Sequence, residues 1–517
     1  MPSRITLLCA ALLLGLAHSP AQPGTFDTTF FDQGILTVLD PGYSLDANAL
    51  LVRPDGSWIT IGQRRDGFGA NILMMAYRAD GRPDSSFGAG NTPLGPTWGP
   101  PGIVRTDLPG VSSEDGRTGL LMPDGRLWIG GACFPQGGLT FQSFLARYHA
   151  DGRLDSTLGG VGYLIDSAAT YNEVLDMHLL ADGGLLVLRN TGVTRYDSTG
   201  TPDTGFGTLG VAAVGGFDMV VDAAGYIYVG AGESTTGTDG VVQITKLTPD
   251  GQVDGGFGSG GTVTASAVEY PDDVSLALTP DGKVLVAVDL RTNGGLSPSL
   301  LLLQYLADGS PDSGFGSNGR TAPLPGLAAR SLLVLPDGFF LVTGELNQHQ
   351  KQDLAVAKFQ PDGSRDFAFG QQGGYAVSGL ATAPFAHSAR GLCLAVQVPG
   401  LILAGGSAYV QGQFHLAVVR LLDAPGVASA IDAPRLEGLR WAWSGDSQML
   451  RLWWSGEPLS DCRIGVYDMQ GRLRHAAAHT AIDAVWEAPL PQLASGVYVL
   501  RVQAAGYAPW VARWICD

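Results

Sequence analysis

The sequence predicts an all-β protein: a seven-bladed β-propeller followed by a small C-terminal β-sandwich. Three observations predict it. A turn motif, Asp-Gly-x-x-Asp-x-x-Phe-Gly, recurs along most of the chain, as at Asp250-Gly251…Asp254…Phe257-Gly258. A second turn, usually Pro-Asp-Gly between short apolar runs, interleaves with the first. Helical 3.6-residue periodicity is nearly absent, while short alternating or apolar runs of strand length are common.

The chain's beginning reads as an export signal over residues 1–21. Arg4 gives a positive start, residues 5–16 are apolar, and Ser19-Pro20-Ala21 offers small residues for cleavage before Gln22. Twelve apolar residues are too few for a membrane anchor, and no later stretch is long enough to span a bilayer as a helix. Residues 22–426 carry the repeats. Complete copies of the Phe-Gly motif begin at Asp80, Asp250, Asp308 and Asp362, with worn copies at Asp151 and Thr199. A seventh is split between the chain ends: Asp27…Phe30 near the start, and the run 416–422 with Asp423 near the end. The glycines of the second turn are Gly56, Gly125, Gly183, Gly225, Gly282, Gly338 and Gly400. In these turns Pro presets φ, Asp bonds the backbone ahead, and Gly accepts φ > 0. Each unit therefore holds two turns and about four strands, which is the arithmetic of a propeller blade. The split copy argues for ring closure, with a strand near 35–39 completing the blade built from 401–422.

These residues resemble the delta-60 repeat family of bacterial exported proteins. Its pattern is an apolar strand, Pro-Asp-Gly-Lys, two further strands, then Asp-Gly-x-x-Asp-x-x-Phe-Gly. Pro280-Asp281-Gly282-Lys283-Val284-Leu285-Val286 matches it. The fourth unit departs most, with Ala223-Ala224-Gly225 in place of Pro-Asp-Gly. The resemblance implies the fold and brings no activity with it.

After a small-residue linker at 427–440, residues 441–517 change character. Val466-Tyr467-Asp468, followed by Gly471-Arg472, reads as strand and turn; Gly496, Tyr498, Leu500, Arg501 and Val502 lie in a turn and an alternating strand. These positions resemble the type A C-terminal sorting domain of the type IX secretion system. The resemblance implies the secretion machinery as a partner and a secreted or cell-surface destination through a Gram-negative periplasm. Two departures are the missing Pro-Asn-Pro start and the Ile515-Cys516-Asp517 ending; they bear on processing of the tail.

Composition excludes several classes. Apolar residues are 45% of the chain, against the profile of a disordered protein. Net charge is −17, so a nucleic-acid backbone would be repelled. The cysteines have no zinc-ligand spacing. Cys133 and Cys393 read as buried small apolar residues, and a bridge between Cys462 and Cys516 is left open. No nucleophile elbow, His-Glu-x-x-His or phosphate loop occurs. His475 and His479, four apart, fall in a strand and turn. Shallow calcium sites at the paired motif Asp residues are considered and set aside, because two carboxylates per turn are too few oxygens. No cofactor is expected. Arg147, Arg195, Lys246 and Lys358 precede the motif and are expected to pair with turn carboxylates.

What differs between units is the segment between the second and third strands, and binding residues concentrate on loops held by a rigid scaffold. Phe68, Phe134, Phe141, His349 and Tyr409 are the candidate binding residues there. The expected function is a non-enzymatic binding, adhesion or scaffold module for a glycan, an envelope polymer or a surface protein. The alternative is a polysaccharide lyase or glycoside hydrolase with carboxylates or a His in a central funnel, where a pair ~5–9 Å apart would mark it.

Overall fold

The computed structural model describes residues 22–423 and 439–516, apart from short internal stretches that include residues 68, 90–96, 349–350, 382–387, 469–472 and 490–495. Every regular element among the described residues is a β-strand. The chain divides into two compact units, one spanning Gln22–Asp423 and one holding Ala424–Asp517.

The first unit is a succession of antiparallel meanders of the kind that forms propeller blades. The first sheet runs Ser44–Val52, Trp58–Arg65, Ala70–Tyr77, Ile103–Thr106, with Thr97–Trp98 on its outer edge. Four-stranded sheets follow, beginning at Val111–Leu121, Val174–Leu179, Asp218–Val221 and Tyr270–Leu278. A larger sheet holds two further meanders, beginning at Leu327–Val334 and Ser388–Val398, joined by one parallel bridge between Gln352 and Ser388. The first strand of each meander contacts the first strand of the next, and Ser388–Val398 contacts Ser44–Val52. Thr25–Phe26 and Ile35–Val38 both pair with Gln413–Leu422, so the start of the chain finishes its last meander.

The motifs explain this regularity. At the Pro-Asp-Gly turn, the Gly56 N–H donates to Arg53 O at 2.9 Å and the Ser57 N–H to Asp55 Oδ1 at 2.9 Å. Gly56 sits at φ 79°, where a side chain would be strained. The departing fourth unit keeps this geometry: the Gly225 N–H donates to Asp222 O, and the Tyr226 N–H to Asp222 Oδ1, so Asp222 replaces the missing turn Asp.

The Phe-Gly motif ties neighbouring sheets. Both of its Asp residues form local turns, as where Arg82 N–H donates to Asp80 Oδ1 and Ser86 N–H to Asp84 Oδ1. Its last Gly donates to the carbonyl of the next unit's Asp: Gly207 to Asp250, Gly258 to Asp308, Gly316 to Asp362, each within 2.8 Å. Its Phe packs on the next unit's Asp-Gly glycine, Phe206 on Gly251 and Phe315 on Gly363. At the chain ends the Gly370 N–H donates to Pro23 O, and Phe30 packs on Gly81. Between sheets lie apolar layers drawn from both neighbours. One combines Leu403, Leu416 and Val418 from the last meander with Leu45, Trp58 and Met75 from the first.

Three of the four cations ahead of the motif pair as expected: Arg147 with Asp155 (2.8 Å), Lys246 with Asp254 (3.3 Å) and Arg195 with Asp203 (3.8 Å). Lys358 differs. It donates to Asp423 at 2.6 Å, because the end of the last meander delivers that carboxylate beside it.

The second unit contains two sheets. One pairs Arg440–Ser444, Met449–Trp453 and Val485–Pro489; the other orders Leu473–Ile482, Leu459–Asp468, Gly496–Gln503 and Trp510–Cys516. Val466 pairs with Leu500 and Asp468 with Tyr498. Cys462, Ile464 and Val466 alternate along one strand and are buried, as are Leu500 and Val502 opposite. Gly471 and Arg472 lie outside the described residues. His475 and His479 fall in a strand. The bridge left open between Cys462 and Cys516 does not form. Arg463, next to Cys462, pairs with Gln503 at one end of Gly496–Gln503, whereas Cys516 pairs with Gly496 at the other. Cys462 is free and buried, and a disulfide needs Cα atoms within ~7 Å.

Candidate functional site

Register places the variable loops together. Ser44 pairs with Arg65, Val111 with Pro135 and Ser388 with Tyr409, so each first strand begins where its second strand ends. The hairpins between second and third strands therefore share one end with the connections that enter the first strands.

Just inside that end, the first strands carry a recurring irregularity. The register shifts by one residue at Asn48, Arg117, Leu175, Asp272, Arg330 and Leu392. A bulge bends the strand and re-aims the side chains beside it. Polar side chains near these bulges join one first strand to the next. Asn48 Nδ2 donates to Gly116 O at 2.8 Å, and Arg117 reaches Glu173 at 3.0 Å. Asp218 Oδ2 accepts the Leu276 N–H at 2.7 Å, and Arg330 contacts Asp273 at 3.3 Å. Arg390 reaches Asp46 at 3.0 Å, joining the last first-strand to the first.

Asp176 and Asp218 hydrogen-bond to each other across neighbouring strands. Burial, and then the Asp218 charge, hold the Asp176 carboxyl well above the usual range. Burial likewise lifts Asp218 to about 6. Glycosidase carboxylates are held ~5–9.5 Å apart, with substrate or water between them, and a direct hydrogen bond leaves no such gap. On the second strand of the next meander, Asp289 is pushed up to about 7 by burial, against the pull of Arg291 and Arg330. Among the described residues, no group of three His, Cys, Asp or Glu is arranged to hold a metal.

The hairpin end also carries aromatic side chains. Phe134 and Phe141 stand at the two sides of one hairpin, ring centroids 6.0 Å apart. Tyr171, from the connection into Val174–Leu179, meets Phe141 edge-on at 5.6 Å. Tyr171 is 62% exposed, Phe134 40% and Leu139, at the hairpin tip, 94%. Tyr171 has φ 56°, and its N–H donates to Phe141 O at 2.9 Å. Tyr409 lies in a different hairpin, half-buried, 4.9 Å from Phe414. Arg390 sits 5.0 Å from the Phe414 ring and links that hairpin to the polar ring. Phe68 and His349 lie outside the described residues.

Of the sequence candidates, then, Phe134 and Phe141 come together and Tyr409 stands apart. Sequence reasoning passed over Tyr171, because it weighed hairpins and not the connections between units. It also passed over the polar ring. The available signal was a charged or amide residue early in otherwise apolar first strands, as at Asp46, Asp115, Asp176, Asp218 and Asp273.

A family described as a domain of unknown function (DUF5122), a beta-propeller, matches residues 279–315. That segment runs from the turn at Gly282 to Phe315 of the motif. No curated protein matches the chain. Among solved structures, a protein of unknown function from Dyadobacter fermentans is 13% identical, with TM-score 0.40, over 76% of this chain and 100% of that one. Sqt1 from Chaetomium thermophilum, bound to the N-terminus of ribosomal protein L10, is 13% identical with TM-score 0.36, over 74% and 97%. The extracellular domain of a putative one-component system from B. thetaiotaomicron is 11% identical with TM-score 0.26, over 90% and 68%.

Proposed function

We propose that residues 22–426 form a seven-bladed β-propeller that acts as a non-enzymatic binding or scaffold module, with its partner docking on the hairpin end. The observation that carries this reading is the aromatic group at the hairpin end, exposed Phe134 and Tyr171 with half-buried Phe141 between them, built on rigid sheets. The blade count rests on the first strands, which contact one another in succession and return from Ser388–Val398 to Ser44–Val52. The partner classes are a glycan, an envelope polymer or a surface protein. Residues 1–21 serve as an export signal. The C-terminal unit, a β-sandwich in this reading, is the address read by the type IX machinery, and the destination is the cell surface or medium.

The test is a sedimentation assay of the full chain with envelope preparations from the producing cell. Phe134→Ser with Tyr171→Ser should lose co-sedimentation, while Val253→Ser with Phe367→Ser, exposed apolar residues at the motif turns, should keep it. The opposite pattern would reject the hairpin end as the binding face.

The second reading is an enzyme centred on Asp176 and Asp218. Two neighbouring buried carboxyls, both held above the usual range, favour it; their direct hydrogen bond, and the backbone N–H held by Asp218, favour a structural tie instead.

A further inference from the structure

We infer that the Phe134–Phe141–Tyr171 group is a subsite for an uncharged sugar ring of a neutral polysaccharide. The inference rests on the hairpin end being a binding face and names what it would take.

The chemistry of the surface is specific. Tyr171 meets the 133–142 hairpin there, and neither that hairpin nor the sequence 167–172 contains a charged residue in a chain of net charge −17. Glu173, two residues after Tyr171, is held by Arg117 at 3.0 Å. What remains is aromatic faces bordered by amides and hydroxyls such as Gln136 and Thr140. A pyranose presents the matching pair of surfaces: an apolar face of C–H groups and an edge of hydroxyls. Aromatic rings offer large, rigid contact area at low entropy cost. A polyanionic glycan would meet a strongly negative protein without a basic group on this patch, and a basic peptide would find no free carboxylate on it.

The backbone supplies an independent argument. An exposed aromatic residue at φ 56° is in a conformation that Gly or Asn would occupy more cheaply. The Phe141 carbonyl holds the Tyr171 N–H at 2.9 Å and so fixes the strained geometry. Strain kept at an exposed position fits a side chain retained for contact with a ligand rather than for folding.

Tyr171→Gly separates the two roles, because it deletes the ring and relieves the backbone. The experiment is affinity electrophoresis of the full chain in gels containing β-1,3-glucan, xyloglucan, starch or mannan, with alginate as the anionic comparison. A proline-rich peptide is tested separately by calorimetry. The native chain should be retarded by at least one neutral polysaccharide. Tyr171→Gly and Phe134→Ala should each weaken that retardation at least tenfold, with Tyr171→Gly melting no lower than the native chain. Retardation by alginate alone, or retardation unchanged in both variants, overturns the inference. Peptide binding that both variants lose, without polysaccharide binding, overturns the sugar assignment and keeps the binding face. Loss of melting temperature in Tyr171→Gly marks the ring as structural and also overturns it.

Discussion

Arg420, on the strand Gln413–Leu422, donates from Nε to Asp27 Oδ2 at 2.8 Å, across 393 residues of chain, with both side chains buried. The same guanidinium donates to Ala79 O at 3.0 Å and lies 4.5 Å from the Phe30 ring. One side chain thus holds the chain's start, its last strand and the first sheet together. Removing one member of a buried pair leaves an unpaired charge and costs ~3–5 kcal/mol. Arg420→Met and Asp27→Ala should each lose about that much in urea denaturation, on the scale of that estimate. The exposed Arg153–Asp151 pair is the comparison, where Arg153→Ala should cost roughly 1 kcal/mol or less. Equal losses at the two pairs would contradict the closing role of Arg420.

Deleting residues 22–39 tests the same closure at the level of strand pairing, and it takes Asp27 with it. It removes both strands that pair with the outer edge of Gln413–Leu422, and it uncovers Leu416 and Val418, which lie in one apolar layer with Leu36. Terminal trims are ordinarily tolerated when the trimmed backbone is unpaired. This one should lower the melting temperature well beyond such a trim. A truncated chain that melts with the intact one would show that the N-terminal strands are dispensable.

Motif glycines should divide by what surrounds them. A Cβ at Gly251 would lie 2.7 Å from the Phe206 ring, whereas a Cβ at Gly282 meets nothing within 4 Å. Both sit at φ 82°. Gly282→Ala should therefore lose only the backbone term, ~1–2 kcal/mol. Gly251→Ala carries overpacking as well, for a further ~1–3 kcal/mol. Denaturation midpoints of the two variants give the comparison, and similar values would mean that Phe206 shifts freely.

These glycines also show why so much of the first unit is legible in sequence. Every unit must make the same turn, so Asp and Gly recur at the same spacing, and every Phe needs a bare glycine on its neighbour. The polar ring is not legible that way. Asn48, Arg117, Asp218 and Arg390 each join adjacent first strands, but the residue types vary and each has a different partner. No motif recurs because only the connection is required. Lys358 misled for a related reason: its partner, Asp423, comes from 65 residues away, where local spacing carries no information. Tyr171 was hidden by register, which alone brings its connection against the 133–142 hairpin. The separation of Cys462 from Cys516 is likewise a property of strand pairing, invisible in their shared segment.

Glu114 gives the fold a pH dependence. It is buried beside Cys133 and Tyr148, with Oε1 accepting the Leu108 N–H at 2.8 Å. Burial, with help from the Asp107 charge, lifts it from 4.5 to about 8. The folded chain therefore holds a proton that the unfolded chain has released, so stability falls as pH rises from about 4.5 through about 8. Asp289, raised to about 7, acts in the same direction. Glu114→Gln imitates the protonated form. Its melting temperature should match the native chain at acidic pH and exceed it at pH above about 8, flattening the profile. A profile unchanged by the substitution would assign the slope to other groups.

Removing residues 441–517 tests the proposed address. Gln22–Asp423 is a compact unit with its own apolar layers, and its last strand is already paired on both sides. The truncated chain should therefore fold, and melting of the purified fragment checks that first. Within the tail, Val466 and Leu500 pair across two strands, and their buried side chains hold Leu459–Asp468 against Gly496–Gln503. An address read as a folded surface must depend on that pairing, so Val466→Asp, which buries a charge, should act like the deletion. Cells making the truncated chain or the Val466→Asp chain should retain it in the periplasm, while the full chain reaches the surface or medium. Fractionation of the three cultures measures this. If both altered chains leave the cell in the full-length proportion, the tail is not an export address, and its two sheets serve the first unit in some other way.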